Sequence, residues 1–180
     1  AFFAGFGLIG EWREGVIEAE RVTPANRSAL LVGRLTRDVL QLLVQALILV
    51  GLGVAMGMRG SVAGIALGVL ITLVVGGACA AASNALALTT KSEDVMAPVI
   101  NIVMMPVLLL SGILLPMTLG PGWLKRTSDF MPFRYIVDAV RDGFAGDLAT
   151  SAVLWGTVWA VLLAALGTWW GTVTFRRENA

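Results

Sequence analysis

Residues 110–144 read LSGILLPMTLGPGWLKRTSDFMPFRYIVDAVRDGF, and the placement of this stretch decides the fold. It opens as the end of an apolar run. Pro116, Gly120, Pro121 and Gly122 then break it, because proline removes a backbone donor and clashes with the preceding turn. Trp123 follows beside Lys125 and Arg126, and from Ser128-Asp129 the spacing predicts a restarted helix. Phe133, Ile136, Val137, Val140 and Phe144 recur three and four apart on one face, with Arg134, Asp138, Arg141 and Asp142 on the other. Arg134 and Asp138 are an i,i+4 pair. Two placements suit such a helix. It can lie in the outer membrane interface, anchored by Trp123 and Tyr135, or it can belong to a re-entrant hairpin that dips into the outer leaflet and returns.

A membrane is the setting because of what surrounds this stretch. Of 180 residues, 57% are hydrophobic, and the mean hydropathy is +0.84, well above a soluble domain of this length. Residues 39–58, 62–88, 95–115 and 152–175 are apolar runs. The first is twenty residues, about 30 Å as a helix, which matches the hydrocarbon core. Arg59-Gly60-Ser61 reads as a tight turn, Pro98 and Pro106 interrupt the third run, and Trp155, Trp169 and Trp170 sit near the ends of the last, as interfacial anchors do. The reading is an all-α polytopic membrane helix bundle, one transmembrane domain over 1–180. Residues 1–10 are apolar but too short to cross, with no basic leader. They are expected to end a span whose beginning, with the N-terminal part of the fold, lies upstream.

Alternating crossings place Arg13, Arg21, Arg27, Arg34, Arg37, Lys91, Arg176 and Arg177 on one side. Arg59, Lys125, Arg126, Arg134 and Arg141 fall on the other. Eight against five makes the first side cytoplasmic. That places the 11–38 loop, the 89–94 loop and the C-terminus on the cytoplasmic side of the cell membrane and the 116–151 segment outside.

Several chemistries are excluded. With no histidine and a single cysteine, Cys79, there is no metal constellation. No GxxxxGK loop exists to hold a phosphate, and no span carries a buried acid–base pair. The catalytic and metal sets are therefore empty. A net charge of +1 argues against nucleic acid. The intramembrane polar candidates are Gln41 and Gln45, four apart on one face, with Asn84 and Asn101. Hydrogen bonding to neighbouring helices is the favoured role for the glutamines, with a pathway lining as the alternative. Asn101, one turn from Pro98, is placed to satisfy a carbonyl that the proline frees. Gly64, Gly68, Thr72, Gly76, Ala80 and Asn84 recur every fourth residue, a spacing that lets helices approach closely.

The loop EWREGVIEAERVTPANRSALLVGRLTRD (11–38) is far longer than a connector requires. Glu14, Glu18 and Arg21 share a helical face. Thr23-Pro24 reads as an N-cap followed by a proline at the first helical position, and a basic helix then runs into the 39–58 span. Together with LSGILLP, PGWL and PFRYIVDAVRDGF in order, this loop resembles the permeases of ABC-2 type transporters, particularly drug-efflux permeases of the daunorubicin-resistance type. Val16 stands where that family often has threonine.

The resemblance implies a six-helix exporter subunit that pairs as a homodimer or heterodimer with a second permease. It also implies that the loop docks on a separate ABC ATPase subunit through Arg13, Glu14, Gly15 and Glu18, to which the shared face adds Arg21. ATP and magnesium would be held by that partner, with no cofactor in this chain. Ser111, Gly112, Pro116, Trp123, Pro132, Arg134, Tyr135, Asp138 and Arg141 would line the outer re-entrant hairpin. The implied function is outward movement of an amphipathic drug or lipid-like substrate by alternating access, through contacts with membrane lipids. Export of polysaccharide or a lipid-linked glycan is the alternative. A channel, which needs charged rings or a carbonyl filter, or a scaffold is a more distant reading.

Overall fold

The longest apolar run folds as one helix from Val62 to Thr90, begun by Ser61, whose hydroxyl accepts from the Gly64 N–H. It ends at Lys91, which takes a left-handed backbone, φ 51°, and turns the chain at once into the next helix. This is the central element of a computed structural model that describes residues 1–13, 27–58, 60–113 and 121–178. In chain order the helices are α1 (Ala4–Arg13), α2 (Arg27–Ala55), α3 (Val62–Thr90), α4 (Glu93–Leu110), α5 (Gly122–Ser128), α6 (Pro132–Ala145) and α7 (Ser151–Glu178). No strand occurs among the described residues. Four helices, α2, α3, α4 and α7, are long and apolar enough to cross a membrane.

Helices α1, α2, α6 and α7 all pack against α3. The four-residue repeat of small side chains explains how one helix serves several neighbours. Each step of four residues advances about 40° around an α-helix, so the stripe winds from one partner to another. Near its start Gly64 lies against the Gly143 backbone and Gly68 against the Phe144 ring. Further along, Gly76 meets Leu42, and Asn84 donates to Asp38 at 3.2 Å, both partners being on α2. On another face Gly167 of α7 sits on the backbone of Ala78.

Leu40, Val44, Leu47, Ile48, Leu49 and Leu52 of α2 are all more than half exposed. A helix that shows water so much apolar surface would be an aggregation site. In hydrocarbon the same surface is at rest.

Two ends follow from the topology. At the loop end α1 finishes, α2 begins, α3 turns into α4 and α7 finishes. At the hairpin end α2 turns into α3, α4 stops and α6 turns into α7. Helix α4 stops at Leu110, five residues short of the apolar run, with Ser111 as its C-cap and Gly112 at φ 77°. The amphipathic helix does not restart at Ser128-Asp129. Those residues close α5, and α6 begins at Pro132, where a fixed φ and a missing donor cost nothing in a first turn.

Candidate functional site

The hairpin formed by α5 and α6 carries most of the chain's charge outside the loop end, and glycines set its depth. Gly143 lies against Gly64 of α3, two residues after that helix begins. Ile136 belongs to one buried cluster with Ile71, Ala139 and Ala160. Since Ile71 is nine residues into α3, Ile136 lies about 13 Å inside the hairpin end, at 1.5 Å per residue, and the start of α6 at Pro132 lies about one turn deeper. On the other side Gly156 of α7 receives Ala139 and the Tyr135 carbonyl, and the Tyr135 ring stacks on Trp159 at 6.5 Å. From Pro121 the chain therefore runs inward through α5, turns at 129–131 and climbs back through α6 without crossing.

The buried face of α6 is Ile136, Ala139 and Gly143. Phe133, Val137, Val140 and Phe144, on the apolar face drawn from hydropathy, are only half-buried. Ala139 and Gly143 were missed; as a small pair four apart they carry the signal read in α3, which could have marked them.

The polar groups of the hairpin are committed to one another. Arg134 pairs with Asp129, donates to the Ser128 hydroxyl at 2.9 Å, and lies 3.7 Å from Asp138. Arg141 reaches Asp138 at 3.9 Å and donates to the Gly112 carbonyl at 2.7 Å, which ties α6 to the end of α4. Tyr135 donates its hydroxyl to the Asp129 carbonyl. Burial, the largest influence, pushes the Asp138 carboxyl above its ordinary range, against the pull of Arg134 and then Arg141, and Asp142 adds to the rise. Ser111 and Ser128 are fully buried. Trp123 is exposed on α5, and Pro132 occupies the first position of α6. Pro116 lies outside the described residues.

At the loop end, Glu14, Gly15, Glu18 and Arg21 lie outside the described residues, as does the Thr23-Pro24 cap. Arg13, on the last turn of α1, pairs with Glu93 at the start of α4, 3.4 Å away. Glu11, which sequence reasoning passed over, is the hub of this end. It takes Arg34 at 3.1 Å and Arg37 at 2.9 Å, bridging α1 to α2. Nothing local in sequence marks it, since the partners are 23 and 26 residues away. Ser83 was missed in the same way. Its hydroxyl accepts from the Gly5 N–H and donates to the Phe2 carbonyl, holding the start of α1 against α3.

Of the intramembrane polar candidates, Asn84 is buried and satisfied by Asp38. Asn101 is exposed and makes no side-chain hydrogen bond to a described residue. Gln41 and Gln45 are likewise exposed and unbonded. They line a cleft of about 270 Å³ between α1 and α2. A second, larger groove of about 480 Å³ lies between α3, α4 and α7. Its wall is apolar throughout, from Phe133 and Phe2 to Trp169 and Trp170, and its volume falls within the roughly 300–1,000 Å³ that holds drug-sized ligands.

The sequence that folds this way has relatives among known proteins. The sequence matches the ABC-2 type transporter family over residues 1–145, from α1 to the end of α6. Two relatives are each described as "Probable doxorubicin resistance ABC transporter permease protein DrrC", from Mycobacterium tuberculosis strains CDC 1551 / Oshkosh and ATCC 25618 / H37Rv. Each is 26% identical over 160 residues, which cover 87% of this chain and 57% of the relative. The chain thus spans little more than half the length of these relatives. No solved structure matches it. With its spans, its hairpin and a family match over four-fifths of its length, the chain belongs to the ABC-2 type transporter family, as a multi-pass membrane permease.

Proposed function

We propose that this permease is the membrane subunit of a bacterial ABC exporter. It moves an amphipathic drug or lipid-like substrate outward by alternating access, driven by ATP hydrolysis on a separate ABC ATPase subunit. It works as a homodimer or with a second permease, and its loop end, with the C-terminus, faces the cytoplasm. The observation that carries the reading is the apolar groove between α3, α4 and α7. Span helices form most of its walls, with Phe2 and Phe133. Besides the Ser83 hydroxyl, already engaged at both ends, the described lining has only the Cys79 thiol and the Trp169 and Trp170 indoles as polar groups. Such a surface receives an apolar body and rejects an ion. Helix α4 forms one wall and is interrupted by Pro98 and Pro106, which weaken its backbone ladder and favour bending. The helix is held at one end by Arg13 and at the other by Arg141. A push on the loop end is thereby transmitted to the hairpin that caps the outer end. Doxorubicin resistance in the names of the two relatives supports a substrate of this kind.

The test is ATP-dependent uptake of a fluorescent anthracycline into inside-out vesicles. The vesicles come from cells that co-express the full-length permease with its ABC ATPase subunit. Uptake is expected with both subunits and ATP, and to be lost without either subunit. No uptake of this or any lipophilic dye, with both proteins assembled in the membrane, overturns the substrate class.

A further inference from the structure

Helix α5, the first arm of the hairpin, is turned almost wholly away from the rest of the described chain. On it Ser128 is buried and Leu124 half-buried, and every other residue is exposed. At about 100° per residue those two share the inward side, and Arg126 points directly opposite. Trp123 and Lys125 lie about 60° and 100° to either side of Arg126. Trp123 is 68% exposed, and Phe130, in the turn below, is 88% exposed. One outward surface thus carries two cations between two bare aromatic rings.

Depth makes those cations costly as they stand. Helix α3 has 29 residues, about 43 Å, against a hydrocarbon core of about 30 Å, so its first 6 Å or so lies among headgroups. The start of α6 is about 19 Å inside that end, and α5 climbs at most about 10 Å back toward it. Lys125 and Arg126, midway along α5, therefore sit just beneath the headgroups, within reach of a snorkelling side chain.

A cation at that depth needs an anion. Arg134 and Arg141 have theirs within the hairpin. Lys125 and Arg126 make no ion pair and no side-chain hydrogen bond among the described residues. Asp129, one turn on from Lys125, is taken by Arg134. The adjoining residues 114–120 contain no charged side chain. Glu14, Glu18 and Glu20, which lie outside the described residues, belong to the loop between α1 and α2. The anion that the bilayer itself offers at this level is a phosphate. A guanidinium grips it with two parallel donors and an ammonium adds a point charge. A headgroup with its own ammonium would bring a third cation to the pair, so one without a cation suits it better. An exposed indole belongs at the same level, and Phe130 lies deeper, among acyl chains.

We infer that the outward face of α5 binds an anionic phospholipid of the leaflet at the hairpin end. Lys125 and Arg126 hold its phosphate, and Trp123 and Phe130 pack on its glycerol and acyl region. The inference goes beyond the exporter reading and rests only on the membrane placement of the hairpin.

The experiment uses the full-length protein, without ATP, in phosphatidylcholine nanodiscs. One probe is phosphatidylglycerol with a diazirine on its acyl chain, and the other is phosphatidylcholine with the same chain. The glycerol probe is expected to label residues 123–130 at least fivefold more than the choline probe, and unlabelled phosphatidylglycerol should displace it. Lys125→Gln/Arg126→Gln should bring its labelling down to the choline level, since each basic residue near an anionic surface is worth about fivefold in binding. Lys125→Arg/Arg126→Lys should keep it. Both side chains are unpacked, so neither variant disturbs the fold. Equal labelling by the two probes, labelling unchanged in the glutamine variant, or displacement by soluble glycerol 1-phosphate overturns the site. So does an absence of label on α5, which would mean that another part of the full-length chain covers it. Selective labelling without anthracycline uptake counts against the exporter reading alone.

Discussion

Gly64 is where the hairpin meets the central helix, and Gly64→Ala tests whether that contact holds it. A methyl at Gly64 would run into the Gly143 carbonyl oxygen, and would stand 2.8 Å from its carbon and 2.9 Å from the Ser61 hydroxyl. The obstacle is backbone, so α6 must move as a body. Overpacking of this kind costs about 1–3 kcal/mol. At Gly51 of α2, by contrast, an added methyl meets nothing within 4 Å. Alanine there gains about 0.5–1 kcal/mol of helix propensity. Both glycines lie in helices, so the propensity gain is shared and the two variants should differ by about 1–3 kcal/mol, the overpacking cost. Reversible unfolding in mixed micelles measures the difference. A Ser128→Cys thiol in a Cys79→Ser background reports its origin, because Ser128 is fully buried with the hairpin docked. Gly64→Ala should be the less stable variant, and in it the thiol should react with a soluble reagent. If the two variants unfold within about 0.5 kcal/mol of each other and the thiol stays protected in both, glycine contact does not dock the hairpin.

Three further outcomes are expected. Arg134→Gln leaves Asp129 and Asp138 without their shared partner. Its cost, read by the same unfolding assay, should be of order 1–3 kcal/mol, between the exposed and buried limits for ion pairs. Arg13→Glu should weaken association with the ATPase and transport but cost under about 1 kcal/mol of stability, since the pair is solvent-exposed. Adding Glu93→Arg should restore function, and a double variant no better than the single one refutes the link. Cysteine at exposed Ala149, between α6 and α7, should react with an impermeant reagent from outside intact cells, and at exposed Asp94 only after permeabilisation. The reverse pattern inverts the topology.

Hydropathy and spacing were enough to read helices, the four long apolar elements and the broken return between the last two. Each depends on neighbours a few residues apart: prolines and glycines end a helix wherever it sits, and Arg134 meets Asp138 because four residues make about one turn. The family, too, was legible in the order of its motifs, and the match over 1–145 bears that out. Packing was not legible in the same way. Hydropathy put Phe133, Ile136, Val137, Val140 and Phe144 on one face of α6. Ile136 is buried and the Phe144 ring meets Gly68, but hydropathy left out Ala139 and Gly143, whose backbones and small side chains make the tightest approaches to α7 and α3. In a bilayer the surroundings are as apolar as the core, so greasiness no longer tells inside from outside, and close approach selects the small residues instead. Glu11 found Arg34 and Arg37, and Gln41 and Gln45 were left facing a cleft, for a second reason. Those outcomes depend on where α3 sets α1 beside α2, a distance in space to which spacing along the chain is blind.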